Sequence, residues 1–372
     1  IMTENATNFI NPITFETLTG NKCLVDTFDR NFQFNVEHVA LAKRADIFMV
    51  APASANIIGK IAGGIADDML STTIMAAKCP KLIAPAMNTN MLENPIVQDN
   101  IRKLQSYGYE IIESASGYLA CGDTGKGKLP NEQLLVDYIL KYIAAEKDMQ
   151  GIKVLVTAGP TMEAIDPVRF ISNHSTGKMG YAIARQAMLR GADVTLVTGK
   201  VAITPPEFVT VVPVTSAQDM YEAVTVASAD QDIIIKAAAV ADYKPAEVSD
   251  NKIKKSDADM SMSLTRTKDI LAFLGMQREE ARKTDGDSRL ARQIICGFSM
   301  ETQNLLENSR KKLEKKKIDM VAANNLKTAG AGFGTDTNVL TLITRDEDIE
   351  LPQMSKEECA DRLLTQLIKM RK

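Results

Sequence analysis

Short apolar runs alternate with helical patterns along nearly the whole chain, and that alternation admits few folds besides parallel-sheet α/β domains. Residues 47–51 predict a buried strand ending at Pro52, and Ser54 then predicts a helix cap, because its hydroxyl can satisfy an orphan N–H. That helix runs through Ile57, Ile58 and Ile61. Residues 81–84 read as a second strand. Asn94-Pro95 opens a helix in the favoured order, cap then proline, and Gly108 closes it. Residues 109–112 read as a third strand and about 131–145 as a helix. The glycine-rich stretch between them, 117–128, reads as a mobile lid.

The pattern then restarts. Polar residues 144–151 end in glycine, and 153–157 form a fresh apolar run, so the domain boundary is expected near 148. Further strands are expected at 193–198, 208–213, 232–237, 294–300 and 319–325, with helices between most of them. Near the end, 339–343 and 349–351 flank Arg345-Asp346-Glu347-Asp348 and predict an antiparallel hairpin, followed by an amphipathic helix from about Ser355. Ile1-Met2-Thr3-Glu4 reads as the end of a buried strand, with a first strand–helix unit expected upstream of it.

A length of 372 residues, 45% apolar and 24% charged, suits two globular domains. The net charge of −3 gives no electrostatic reason to expect nucleic acid or an anionic membrane as partner. No apolar run reaches the roughly 18 residues that span a bilayer, and the start of the chain has no signal-peptide pattern. Five scattered cysteines argue against a disulfide framework or a zinc site and for a reducing, cytoplasmic setting.

Three pieces of the first half can carry chemistry. His38 lies on a helical stretch leading into the first strand; alone it reads first as a surface or core-edge residue, and an imidazole near the mouth of a parallel sheet can also act as a base or proton shuttle near neutral pH. Asn88, in Pro85-Ala86-Met87-Asn88, stands at the carboxyl end of a strand, where open α/β sheets bind ligands. Cys121, in Ala120-Cys121-Gly122, is either an inert small hydrophobe or a thiol carried on a loop. Gly122-Asp123-Thr124-Gly125-Lys126-Gly127 is not a GxGxxG fingerprint, and no strand–GxGxxG–helix unit of a dehydrogenase is visible.

Taken together, Val36-Glu37-His38, Ala51-Pro52-Ala53-Ser54-Ala55-Asn56, Gly64-Ile65-Ala66-Asp67-Asp68, Pro85–Met91 and Ala120-Cys121-Gly122 closely resemble the flavin-dependent phosphopantothenoylcysteine decarboxylases. The resemblance implies FMN, with Ser54, Ala55, Asn56 and Ala86 lining it. It implies oxidation of a cysteinyl thiol to a thioaldehyde, which makes the adjacent carboxylate a good leaving group. His38 would serve decarboxylation or proton transfer, Asn88 would orient the carboxylate, and Cys121 would protonate the intermediate during re-reduction. The family's first glycine- and serine-rich turn, which helps hold the flavin phosphate, falls upstream of Ile1. Ligase activity alone, with an inactive flavin domain, is therefore the nearest alternative. Non-catalytic relatives that inhibit phosphatases typically lose the histidine, which is present here.

In the second half, Ser172–Gly180 lacks the first glycine of a P-loop, and Met179 takes the hydroxyl position. What remains is a polar loop feeding a helix N-terminus, suited to an anion, with His174 read as structural. Asp242 follows the small residues of Ala237–Ala241 and can bind a divalent cation carried by a nucleotide. Lys252-Ile253-Lys254-Lys255 adds basic charge. Lys312 and Lys316, four apart on a helix, share one face, which is either solvated or a grip for a triphosphate.

With Thr157–Thr161, Asp166–Arg169, Gly297-Phe298 and Glu301-Thr302, these segments closely resemble phosphopantothenate–cysteine ligase from about 152 onward. The resemblance implies attack of phosphopantothenate on CTP to give an acyl-cytidylate, then displacement of CMP by the amine of cysteine. Asn173 maps to the residue that stabilises the acyl-cytidylate and its conversion, and Lys252 to the one needed to form it. Asp242, Lys252, Lys268, Asp269, Ile270, Leu271, Phe298, Lys312 and Lys316 map to the CTP site, and Mg²⁺ is expected at Asp242. The whole reading is of two Rossmann-like α/β domains with mainly parallel sheets and a C-terminal β-hairpin. Residues 1–148 would be the flavin-dependent decarboxylase and 149–372 the CTP-dependent ligase, the order found in bacterial bifunctional enzymes of coenzyme A synthesis. Its partners would be small molecules (phosphopantothenate, cysteine, CTP) and copies of itself, as ligase dimers and decarboxylase trimers combined in an assembly up to a dodecamer.

Overall fold

Val154, Leu155 and Val156 are consecutive and all fully buried, which a strand permits only when both faces of its sheet are covered. In the computed structural model that strand lies inside an eight-stranded sheet. The structure describes residues 1–28, 37–119, 122–255, 260–301, 304–325, 332 and 334–371. The chain divides into two units, Ile1–Ala144 and Ala145–Lys372.

The first unit opens with a 3-10 turn at Glu4–Asn8, where a strand end was expected, so residues 1–3 pair with no sheet. Then come α1 (Pro12–Thr19), α2 (Glu37–Arg44), β1 (Phe48–Ala53), α3 (Ala55–Gly63), α4 (Met69–Ala76) and β2 (Lys81–Pro85). After α5 (Thr89–Glu93) and α6 (Pro95–Ser106) follow β3 (Glu110–Ile111), β4 (Ala115–Tyr118), β5 (Thr124–Lys128) and α7 (Glu132–Ile143). Strands β1, β2 and β3 pair in parallel. Ile57, Ile58 and Ile61 of α3 pack with Val50, Ile83 and Leu104 on one face of that sheet. Asn94 caps α6 with its side-chain oxygen, and Pro95 takes the first turn. The glycine-rich stretch differs from expectation, since β4 and β5 form an antiparallel hairpin with a register irregularity at Ala115/Ser116.

The second unit begins with β6 (Lys153–Ala158), β7 (Met162–Ala164), β8 (Phe170–Ser172), α8 (Lys178–Leu189), β9 (Asp193–Thr198) and β10 (Thr210–Pro213). It continues through α9 (Ala217–Ser228), β11 (Ile233–Lys236), β12 (Tyr243–Pro245), β13 (Leu264–Arg266), α10 (Ile270–Thr284), β14 (Ile294–Glu301) and α11 (Leu305–Lys316). Last come β15 (Met320–Asn325), β16 (Thr337–Asn338), β17 (Thr341–Ile343), β18 (Asp348–Glu350), β19 (Met354–Ser355) and α12 (Lys356–Arg371). The main sheet runs β10-β9-β6-β11-β14-β15-β17-β18. It is parallel as far as β15, and β17 and β18 join as the antiparallel hairpin.

This order carries the key consequence of the fold. From β6 the chain builds outward through β9 to β10, then returns to β11 beside β6 and builds the other way through β14 and β15. The connections after β6 and β11 lead to opposite sides of the sheet, while their first residues stay paired, Ala239 bridging Pro160, at the carboxyl edge where open α/β sheets bind ligands. Gly180 lets α8 pack closely there, for a Cβ on it would lie 2.6 Å from that of Ala158. Among the described residues no helix is long and apolar enough to cross a membrane.

Candidate active sites

At the carboxyl edge of the first sheet, Ala53 pairs with Pro85, and the Ala86 N–H donates to the Ala53 carbonyl at 3.0 Å. Ser54-Ala55-Asn56 and Ala86-Met87-Asn88 are thus brought side by side. Ser54 stands at the N-cap of α3, but its side chain makes no capping hydrogen bond, contrary to the role expected for it. The helix end keeps its first N–H groups at this edge, and the exposed Ser54 hydroxyl makes no hydrogen bond among the described residues, so both are open to an anion or ring carbonyl. Asn88 caps α5, its Oδ1 accepting from the Asn90 N–H at 2.9 Å.

The β4–β5 hairpin docks on this edge through its own backbone. Met87 N–H donates to the Gly127 carbonyl at 2.9 Å, and Thr89 Oγ1 donates to the Lys126 carbonyl at 2.7 Å. Gly127 has φ +129°, and a Cβ there would come 2.0 Å from the Met87 carbonyl oxygen, so only glycine allows the approach. Cys121 lies outside the described residues. His38 is half-buried on the first turn of α2, a helix that packs on α4, and makes no hydrogen bond among the described residues.

In the second unit two cavities open at the crevice. One, of about 410 Å³, is lined by Asn173, the start of α8 at Ser175–Gly180, the loop after β11, Phe298–Met300, Asn324 and Asn338. The other, of about 710 Å³, is lined by Arg266–Leu271 and by the Lys311, Lys312, Lys315 and Lys316 face of α11. Seven cationic side chains face two carboxylates in it, a strongly positive chamber within a chain of net charge −3. Such a chamber favours a polyanion.

Both cavities share Lys236, Val240, Asp242 and Lys312. Buried hydroxyls pin the loop between them. Ala238 N–H donates to Thr157 Oγ1 at 3.1 Å and Ala241 N–H to Thr161 Oγ1 at 3.0 Å. Asn173 Nδ2 donates to the Ala239 carbonyl at 3.0 Å, and Thr267 Oγ1 to the Ala241 carbonyl at 2.7 Å. Lys312 Nζ donates to the Phe298 carbonyl at 2.7 Å. Lys316 pairs with Asp269, whose other oxygen caps α10 at Ala272. Burial opposes ionisation of Asp269, but Lys316 and the Ala272 N–H hold its carboxyl below the usual range.

Of the residues read from the sequence, Asn173, Asp242, Phe298 and Lys312 line the smaller cavity. Asp242, Lys268, Asp269, Ile270, Leu271, Lys312 and Lys316 line the larger. Lys252 lines neither. It is exposed on an arm tied down at Ile253, whose carbonyl accepts from Arg169 at 2.8 Å and whose N–H donates to Asp166 at 3.1 Å. The Arg169 guanidinium, with the N–H groups of Val168, Arg169 and Ile253, holds the Asp166 carboxyl well below the usual carboxylate range. His174 is exposed and outside both cavities. Among the described residues no three His, Cys, Asp or Glu side chains cluster as a metal would require. Sequence reasoning missed Lys356, which lines the smaller cavity, and Lys236, for which the signal was a charge closing the apolar run Ile233-Ile234-Ile235.

Residues 149–370 match the family described as DNA/pantothenate metabolism flavoprotein C-terminal domain, and residues 1–144 match the family described as Flavoprotein. The coenzyme A biosynthesis bifunctional protein CoaBC of Bacillus subtilis (strain 168) is 46% identical over 376 residues, spanning 100% of this chain and 90% of that protein. A cysteine/cysteine sulfinic acid decarboxylase from an unknown prokaryotic organism is 41% identical over 365 residues, 96% of this chain and 99% of that one. Among solved structures, the C-terminal domain of a coenzyme A biosynthesis bifunctional protein CoaBC aligns over 61% of this chain and 98% of its own. The identity there is 42% and the TM-score 0.49.

Proposed function

The chain belongs to the coenzyme A biosynthesis bifunctional proteins, with the activities of phosphopantothenate–cysteine ligase and phosphopantothenoylcysteine decarboxylase, and on that premise we propose how its residues divide the work. Residues 149–372 carry the ligase and residues 1–148 the decarboxylase. The observation that carries the ligase assignment is the pair of cavities with a common wall at the switch point between β6 and β11. The basic chamber beside α11 takes the triphosphate of CTP with Mg²⁺, the Lys312 and Lys316 face gripping the phosphates and Asp242 meeting the metal. The smaller cavity takes phosphopantothenate and then cysteine. Asn173, which already holds the Ala239 carbonyl, orients the acyl-cytidylate. Lys252 acts in forming that intermediate and reaches it by movement of the arm held at Ile253.

FMN fits the edge of the first unit. The unused Ser54 hydroxyl, the start of α3, Asn56 and the small side chains of Ala55 and Ala86 leave room and donors for it. Bound FMN supplies reversible two-electron redox chemistry. Asn88 orients the substrate carboxylate, while His38 and Cys121 move protons to and from the substrate. The chain works as a homo-oligomer.

The test supplies phosphopantothenate, cysteine, CTP and magnesium and follows products by mass. Phosphopantetheine with stoichiometric pyrophosphate and carbon dioxide is expected. Absence of phosphopantothenoylcysteine would refute the assignment of the second unit, and its accumulation without phosphopantetheine would refute that of the first.

A further inference from the structure

Lys236 ends β11 at the centre of the sheet, paired with Thr157 of β6 on one side and Gly297 of β14 on the other. Along a strand, side chains two apart share a face. Lys236 therefore leaves the sheet on the side of Ile234, which packs in a core with Leu271, Leu274 and Leu313. Its stem rises from apolar ground and its ammonium meets the wall shared by both cavities. The two lysines of α11 nearest it are engaged: Lys312 donates to the Phe298 carbonyl, and Lys316 pairs with Asp269. Lys236 makes no hydrogen bond or ion pair among the described residues. A half-buried lysine without a partner is costly in a purely structural role, and an apolar residue would close this strand at lower cost.

We propose that Lys236 is a catalytic residue of the ligase site, its ammonium meeting the α-phosphoryl group of the nucleotide as the substrate carboxylate attacks from the adjoining cavity. This rests on the ligase reading above. In the step concerned, a carboxylate oxygen bonds to the α-phosphorus. The bond from that phosphorus to the oxygen bridging the β-phosphate breaks, and its electron pair leaves with pyrophosphate. No proton is transferred. Negative charge builds on the non-bridging oxygens as the bonds exchange, and a preformed cation beside them offsets it without reorganisation. The groups around the ammonium are Lys312 and Lys316 of α11, Asp269 at the start of α10 and Asp242 after β11. Burial, and after it the Lys312 charge, push the lysine down to about 8 against the pull of Asp269 and Asp242. The free enzyme thus carries this charge at neutral pH but loses it in mildly alkaline solution.

The experiment is single-turnover pyrophosphate release from the full-length chain with phosphopantothenate, CTP and magnesium, and no cysteine. Lys236→Met is expected to slow release at saturating CTP by roughly 10²-fold or more, the loss typical of removing one transition-state contact. Lys236→Arg is expected to recover most of the rate. At subsaturating CTP the wild-type rate should fall as pH rises through about 8, and Lys236→Arg should not follow it. Wild-type release by Lys236→Met would overturn the assignment. Should that variant fail to fold, an unchanged alkaline fall in Lys236→Arg overturns it as well. A wild-type chain that releases no pyrophosphate would instead bring down the ligase reading, and this assignment with it.

Discussion

Two threonine hydroxyls hold the wall on which the second site depends. Thr161 is fully buried, and its Oγ1 is the partner of the Ala241 N–H, itself shut away from water. Replacing it by valine keeps the shape and strands the N–H, which costs about 1–3 kcal/mol. Thr161→Val should lower stability by that amount in denaturant titrations and weaken CTP binding, because Asp242 follows the freed amide directly. Lys236 makes the opposite case. Its folded value of about 8 lies below its ordinary 10.5, so between those values the folded chain binds fewer protons than the unfolded one. Stability from this group then rises with pH across that window. Lys236→Met should be more heat-stable than the parent at neutral pH, with the gap closing as pH passes the ordinary lysine range. A gap independent of pH would contradict the shift. Such a residue is nearly illegible in sequence, since lysine after Ile-Ile-Ile reads as a strand reaching solvent. Asn173, Asp242, Lys312 and Lys316 were legible only through their surrounding motifs.

Among elements, strands buried on both faces were the easiest to read. Val154–Val156 and Ile233–Ile235 are apolar runs too short for buried helices. The β4–β5 hairpin was missed for a physical reason. Gly117, Gly125 and Gly127 have low strand propensity, and the pairing is stabilised by docking on Met87 and Thr89, which lie about forty residues earlier in sequence. The same docking makes the hairpin fragile. Gly127→Ala would drive a methyl group into the Met87 carbonyl at a positive φ, so the ribbon must detach or rotate. The purified variant should lose flavin absorbance and decarboxylation while releasing pyrophosphate from CTP at the parental rate. Loss of both activities together would show that the hairpin matters for more than its own site.

For the molecule as a whole, the restart of the α/β pattern near 148 is visible in composition, and the units meet at Ala144/Ala145. Net charge hid what matters most, because −3 averages away the basic chamber beside α11. Strand order was hidden too. Periodicity identifies β6 and β11 as strands but not as neighbours, and only their adjacency brings Lys236 to the crevice. That seam has a consequence for how the domain comes into being. It joins residues 79 apart, with the Lys153 N–H on the Asp232 carboxylate, whereas the helices on either side are local structures. Helices form within microseconds, while distant strand pairing must first meet the entropy of closing a long loop. In refolding experiments the capacity to bind CTP should therefore return after the far-ultraviolet helical signal, and simultaneous recovery would mean the seam closes early. On the proposed ligase reading, nucleotide binding would then report the completion of folding in this domain, because the crevice needs both strands of the seam.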